Sequence, residues 1–234
     1  MRTYLKENKI IIILFFINIL CLSSCETKEK LIHNDVLDTN ANWIVEQQPK
    51  GTTTVEDGKM TVIDVKGFTA WFKHKLVGNI KIEYDITIID NNGPYDRVSD
   101  MNCFWMANDP KNPDDFFKES KIRAGLFLNY HHLTQYYVGY GGHNNTKTRF
   151  RRYDGNIDRP LLPKHDLTDE EFMITANKKM HIKIVVKDNY TSYTRDGKVI
   201  FEMNDPEPYT SGYFGFRTVN NHMEIENFRI TQLE

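Results

Sequence analysis

Apolar and polar side chains alternate with a period of two through most of the chain. The pattern is clearest over residues 80–89, where Ile80, Ile82, Tyr84, Ile86 and Ile88 alternate with Lys81, Glu83, Asp85 and Thr87. Successive side chains of a strand point to opposite faces, so this run predicts a half-buried strand with its charges in solvent. Similar short runs, rich in β-branched and aromatic residues and bounded by Gly, Asn, Asp or Pro, predict strands over 43–45, 60–65, 69–74, 102–106, 122–130, 135–140 and 149–153. The series continues over 181–187, 190–195, 199–203, 212–218 and 223–230. Asp57-Gly58 and Asp196-Gly197 read as hairpin turns. Many short strands with regular turns predict an all-β chain folded as a two-sheet jelly-roll β-sandwich. Helical signals are limited to single turns near 113–117 and 168–172, each opened by acidic residues.

One stretch, residues 122–154, concentrates Tyr, His, Asn, Gly and Arg as no other segment does. Read as a strand from Ile122, it places Ala124, Leu126, Leu128 and Tyr130 toward a core and Arg123, Gly125, Phe127, Asn129 and His131 toward a groove. A second run carries Tyr137, and Gly141-Gly142-His143-Asn144-Asn145 is a strong turn signal, because Gly and Asn tolerate positive φ. In the third run Lys147, Arg149, Arg151 and Tyr153 share one face. Arginine offers a planar fork that matches a carboxylate bidentately, and the neighbouring aromatic, His and Asn side chains suit a sugar ring and its hydroxyls. The natural ligand of that stripe is a uronic-acid polymer. Basic residues on an edge strand also guard against edge-to-edge pairing, a reading that leaves the clustered Tyr, His and Asn without a role.

The N-terminus changes the compartment. Arg2, Lys6 and Lys9 precede an apolar run from Ile10 to Leu20 that is too short to span a bilayer. Leu22-Ser23-Ser24-Cys25 follows and resembles a lipoprotein cleavage box. Residues 1–25 are therefore expected to be a signal peptide, with lipidation of Cys25, a charged tether over 26–30, and one β-sandwich domain over 31–234. The expected location is the cell envelope, lipid-anchored on the periplasmic or outer face of an outer membrane. Of three cysteines only Cys103 remains unassigned, so no internal disulfide forms and Cys103 reads as a small buried hydrophobe. A net charge of −2 argues against a nucleic-acid partner.

Two stretches carry a resemblance. Residues 100–110 (DMNCFWMANDP), and Tyr136 to Thr146 followed by Thr148-Arg149-Phe150-Arg151, resemble the YesU-like proteins that accompany genes for using pectin and other polysaccharides. That resemblance implies a fold similar to the concanavalin A-like lectins and glucanases. The tail from Ile182 to Ile230 looks like the closing strands of the same superfamily. No catalytic assignment comes with the likeness.

Three chemistries compete for the site. β-Elimination on an acidic, pectin- or rhamnogalacturonan-like polysaccharide needs carboxylate neutralisation, a base and an acid. Arg149 or Arg151, helped by Asn144, would neutralise, His131 or His143 would be the base, and Tyr137 the acid. Jelly-roll lyases use such a set, although their characteristic strand motifs are absent. Glycoside hydrolysis needs two carboxylates across a cleft, and Glu83-Tyr84-Asp85 is the nearest match to a glucanase strand, with Thr87 where a third carboxylate would stand. A non-catalytic glycan-binding lipoprotein would stack Tyr95, Trp105, Tyr137 and Tyr153 on sugar faces, with polar contacts from Arg97, Asn129, Asn144, Asn145 and the arginine stripe. No cofactor is expected. The acidic loop from Asp109 to Asp115 offers oxygen ligands for a structural Ca²⁺, but its spacing matches no defined loop and solvated turn carboxylates are the simpler reading.

Overall fold

The computed structural model describes residues 28–234, so the expected export segment and Cys25 lie outside the described residues. In chain order the strands are β1 (Glu29–Asp35), β2 (Trp43–Gln47), β3 (Thr52–Glu56), β4 (Lys59–Asp64), β5 (Phe68–Phe72), β6 (Leu76–Val77), β7 (Ile80–Ile88) and β8 (Asn102–Asn108). They continue as β9 (Thr134–Gly141), β10 (Lys147–Asp154), β11 (Asp166–Leu167), β12 (Met180–Lys187), β13 (Tyr190–Arg195), β14 (Lys198–Asn204), β15 (Ser211–Thr218) and β16 (Asn221–Leu233). One eight-stranded sheet has the order β14-β13-β12-β7-β16-β4-β3, with β1 also on β16. The other has the order β11-β10-β9-β8-β15-β5-β2, with β6 also on β15. Every pairing among the described residues is antiparallel.

The period-two pattern explains the sandwich. Ile80, Ile82, Tyr84, Ile86 and Ile88 of β7 face inward with Ile182 and Ile184 of β12, and all are buried. From the opposite sheet Trp105, Tyr136, Val138, Phe150, Phe214 and Phe216 meet them in one continuous core. Both hairpins form as expected. Asp57 and Gly58 take φ of 52° and 79°, and Asp196 and Gly197 take 49° and 82°, the double positive-φ turn that matches strand twist. Cys103 lies in the core, where burial pushes its thiol up to about 12 and leaves it inert.

The strand expected over 122–130 does not form. Residues 109–133 instead leave β8, cross the outer face of the second sheet and return to β9 as turns, a short helix α1 (Ser120–Arg123) and a 3₁₀ turn (Phe127–Tyr130). Ala124 and Gly125 have φ of 42° and 76°, which breaks any extended run. This cover makes a second apolar cluster with Trp71, Phe104, Phe116, Tyr130, Tyr137 and Tyr153 on the far side of the sheet from the main core. Gly125 is required where the cover touches the strand layer, because a Cβ there would meet the Gly67 carbonyl oxygen at 2.3 Å. Strands β1, β3, β6 and β11 lie outside the sequence expectation, and β1 takes in Glu29 and Lys30 of the expected tether.

Candidate functional site

The outer face of the second sheet is only partly covered, and the uncovered part is a cavity of about 440 Å³. That volume lies within the roughly 300–1,000 Å³ usual for ligand pockets. Strand alternation builds its floor and one wall. Tyr137 and Gly139 of β9 face the same side as Lys147, Arg149 and Arg151 of β10, and in register Arg149 opposes Gly139 while Arg151 opposes Tyr137. Gly142, His143 and Asn144 form one rim, Arg97 and Asp100 another, and Phe127 of the cover and Arg159 close the remaining side. The rim turn is held in a costly conformation. Gly141, His143, Asn144 and Asn145 have φ of 63°, 53°, 57° and 59°, and three consecutive left-handed residues other than glycine store strain at the rim of the cavity.

Charge is the site's dominant property. Among the lining residues there are five cationic side chains and one carboxylate, Asp100. Asp100 is paired with Arg97, and Arg97 also donates Nη1–H to Asn144 Oδ1 at 2.8 Å. Arg149 spends its fork on Asp166, with Nε to Oδ1 at 2.8 Å and Nη2 to Oδ2 at 3.2 Å. Lys147 stands 4.0 Å from the same carboxylate. Arg151 and Arg159 have no such compensation. Arg151 donates to the Arg159 carbonyl, Arg159 sits 5.5 Å from the Phe127 ring centroid, and among the described residues no carboxylate oxygen lies within 4.0 Å of either guanidinium. Burial and the neighbouring cations pull Arg151 below its ordinary pKa, though a guanidinium stays charged at any physiological pH. Two half-buried, unpaired arginines are costly unless an anion arrives.

Tyr137 lies at the floor with its hydroxyl unpaired. Burial, then Tyr153 and Asp100, raise its pKa well above the usual phenol value, so it is a proton donor and not a phenolate. Gly139 makes the room, since a Cβ there would stand 3.0 Å from Tyr137 Oη. His143 is exposed on the rim, and its Nε2 accepts from Arg149 Nη1 at 3.0 Å. Arginine has no acceptor, so that bond occupies the imidazole lone pair a base would use.

The structure brings together Arg97, Tyr137, His143, Asn144, Arg149 and Arg151 from the residues expected at the site. It separates others. Trp105 is a correction: it is fully buried between the sheets, stacked on Phe150 with centroids 5.6 Å apart, and its Nε1 donates to Thr191 Oγ1 at 3.0 Å. The alternation of β8 puts Phe104, not Trp105, on the outer face. Tyr153 is on the outer face but fully buried beneath the cover, so it offers no sugar platform. Asn129 belongs to the cover, where its Nδ2 donates to the Ile122 carbonyl at 2.8 Å. Asn145 turns away from the cavity and brackets Ile174, accepting from its N–H at 2.8 Å and donating to its carbonyl at 2.9 Å. Tyr95 lines a separate hollow with Pro94 and His222. His131 is 4% exposed and packs against Phe127 and Tyr153, behind the cavity wall. Burial first, then Arg159, Arg217 and Arg151, push it down to about 4. It is a neutral structural imidazole and not the base. Glu83 and Asp85 lie on the other sheet, where they pair with Arg229 and His181. In the acidic loop, Asp109 Oδ1 accepts from the Lys111 N–H at 2.9 Å and Asp115 Oδ1 from the Phe117 N–H at 3.0 Å, both as turn caps.

Sequence reasoning missed Arg159, and it put Phe127 on a groove-facing strand whereas Phe127 reaches the cavity from the 3₁₀ turn of the cover. Arg159 sits in an irregular loop between β10 and β11, where no periodicity marks a face.

A family profile described as a domain of unknown function (DUF6250) matches residues 62–228, and the chain belongs to that family. No curated protein matches it in sequence. Solved structures share the fold. One is a Bacillus subtilis protein of unknown function with a galectin-like fold, at TM-score 0.67 and 18% identity, covering 88% of this chain and 98% of that one. Another is carbohydrate-binding module CBM66 from Bacillus subtilis, at TM-score 0.54 and 14% identity, covering 81% and 94%. An endo-β-1,3-glucanase from Pyrococcus furiosus matches at TM-score 0.55 and 10% identity, covering 89% and 96%. The molecule is thus a two-sheet jelly roll, as the strand pattern predicts, and its fold is of the galectin-like and concanavalin-like kind.

Proposed function

We propose that this chain recognises an acidic, uronate-bearing glycan of the pectin or rhamnogalacturonan type, in the cavity between Arg97 and Arg159. The observation that carries the reading is the pair Arg151 and Arg159, two half-buried guanidinium groups with no carboxylate partner among the described residues. A uronate carboxylate supplies the missing anion, and Asn144, His143 and Tyr137 stand around it as partners for ring hydroxyls. The lipoprotein signal in the sequence adds a place, the cell envelope, with the domain tethered through lipid on Cys25. Two of the similar folds carry names that speak of carbohydrate, which fits this reading without adding to its proof.

A second reading, β-elimination, is favoured by the free hydroxyl of Tyr137. In that step a base takes the C5 proton, the C4–C5 double bond forms, and the O4 leaving group departs with a proton from Tyr137. Arg151 and Arg159 would hold the charge that builds on the carboxylate. The weak point is the base, because His143 must first leave Arg149. Hydrolysis fits less well, since Asp100, held by Arg97, is the one carboxylate lining the cavity among the described residues.

The test is incubation with a panel of pectic and other uronate polysaccharides while the ultraviolet absorbance of unsaturated uronate ends is followed. A rise establishes elimination. A flat trace with new reducing ends shifts the assignment to hydrolysis. A flat trace with retarded migration in polymer gels leaves recognition alone, and no retardation by any acidic polymer removes the proposal.

A further inference from the structure

A second cluster lies in the cover itself. Asp109 stands at its start, Glu119 just before α1, and His132 at its end. One ligand atom from each lies within 4.8 Å of the other two. The Asp109 side chain is fully buried, and His132 Nε2 is 3.6 Å from its Oδ1. Asp109 also caps its turn, accepting from the Lys111 N–H at 2.9 Å and from Asn112 Nδ2 at 3.0 Å, and three further features mark the group out. The Nε2 atom of His132 is shielded from solvent and has no hydrogen-bond partner. Two carboxylates converge, which like charge disfavours, and among the described residues no lysine or arginine nitrogen lies within 4.0 Å of either. The His132–Asp109 separation is too long for a hydrogen bond, yet close to the roughly 3.4 Å between two donors that each lie about 2.1 Å from one metal ion.

We propose that Asp109, Glu119 and His132 bind one divalent first-row transition ion, of which Zn²⁺ is the test probe. The donor set decides the class. One imidazole nitrogen with two carboxylates suits Zn²⁺ or its neighbours, whereas Ca²⁺ takes six or more oxygen ligands. The three donors come from the beginning, middle and end of residues 109–133. The ion therefore ties the middle of the cover to its two ends, where it leaves β8 and rejoins β9, and so steadies the Phe127 wall of the cavity. The metal site does not depend on which ligand the cavity takes.

The experiment uses the full chain without an affinity tag, freed of metal by a chelator. Zn²⁺ uptake is measured by titration and by melting, and Co²⁺ is added separately for its visible spectrum. One Zn²⁺ per chain, a melting temperature raised by several degrees, and no rise with Ca²⁺ are expected. Glu119→Gln and His132→Asn should each weaken Zn²⁺ binding at least tenfold, while Asp114→Asn, a substitution at an exposed position of the same loop, leaves it unchanged. A Co²⁺ spectrum of nitrogen and oxygen ligation in the unsubstituted chain carries the test should either variant fail to fold. No Zn²⁺ uptake, equal uptake by both variants, a featureless Co²⁺ spectrum, or an equal effect of Ca²⁺ would overturn the site.

Discussion

Tyr137 and His131 show how position in one apolar cluster settles chemistry residue by residue. Burial holds the Tyr137 phenol protonated, so its service is as a donor. If the chain eliminates, Tyr137→Phe should cut turnover about 10²-fold or more, the usual scale of a general acid, with binding nearly unchanged. Turnover equal to that of the unsubstituted chain would exclude Tyr137 as the acid. His131 is held neutral, with its pKa pushed from 6.5 to about 4. Between those values the unfolded chain takes up a proton that the folded chain refuses. Stability is therefore complete above about pH 6.5 and falls as pH drops toward 4, by at most about 3 kcal/mol at 1.36 kcal/mol per unit. Melting curves of His131→Phe should flatten in that window, and a fall as steep as that of the unsubstituted chain would contradict the assignment. Arg149 and Arg151 were legible because a strand alternates its faces. Their difference was not, since Asp166, which neutralises Arg149, reaches it only when β11 pairs with β10.

At the scale of elements, the cover over residues 109–133 decides how much of the sheet is site and how much is core. It is fastened by a fully buried ion pair, Arg123 Nη2 to Glu46 Oε1 at 2.8 Å, and Tyr130 Oη donates to Glu46 Oε2 at 2.5 Å. Removing one partner of such a pair strands the other charge in the interior. Glu46→Gln should cost about 3–5 kcal/mol in urea unfolding and loosen the Phe127 wall. A loss under about 1 kcal/mol would show that the pair does not anchor the cover. The hairpins were readable from Asp-Gly pairs because their turn geometry is local. The cover was not. Its residues mimic a strand in apolar spacing, but Phe127 and Tyr130 pack on the sheet while Leu126 and Leu128 stay exposed. Only the sheet beneath, assembled from distant segments, reveals which residues it buries. The same long-range assembly hid Trp105, whose inward face follows from the pairing of β8 with β9 and β15.

For the molecule as a whole, a sandwich built on period-two alternation leaves part of one sheet's outer face open as a cavity. The cover shields another part, and five cationic side chains crowd the opening. That division leaves Arg151 and Arg159 beside open space with no carboxylate partner among the described residues, and the acidic-glycan reading rests on that pair. The most direct measurement is calorimetric titration with a uronic-acid oligosaccharide and with the same oligosaccharide reduced at its carboxyl groups. The account predicts binding of the acid form and little of the reduced form. It also predicts a loss of at least tenfold in Arg151→Ala and Arg159→Ala, and a smaller loss in Arg149→Ala, whose charge Asp166 already meets. Equal binding of both sugars, or acid binding untouched in Arg151→Ala and Arg159→Ala, would contradict it.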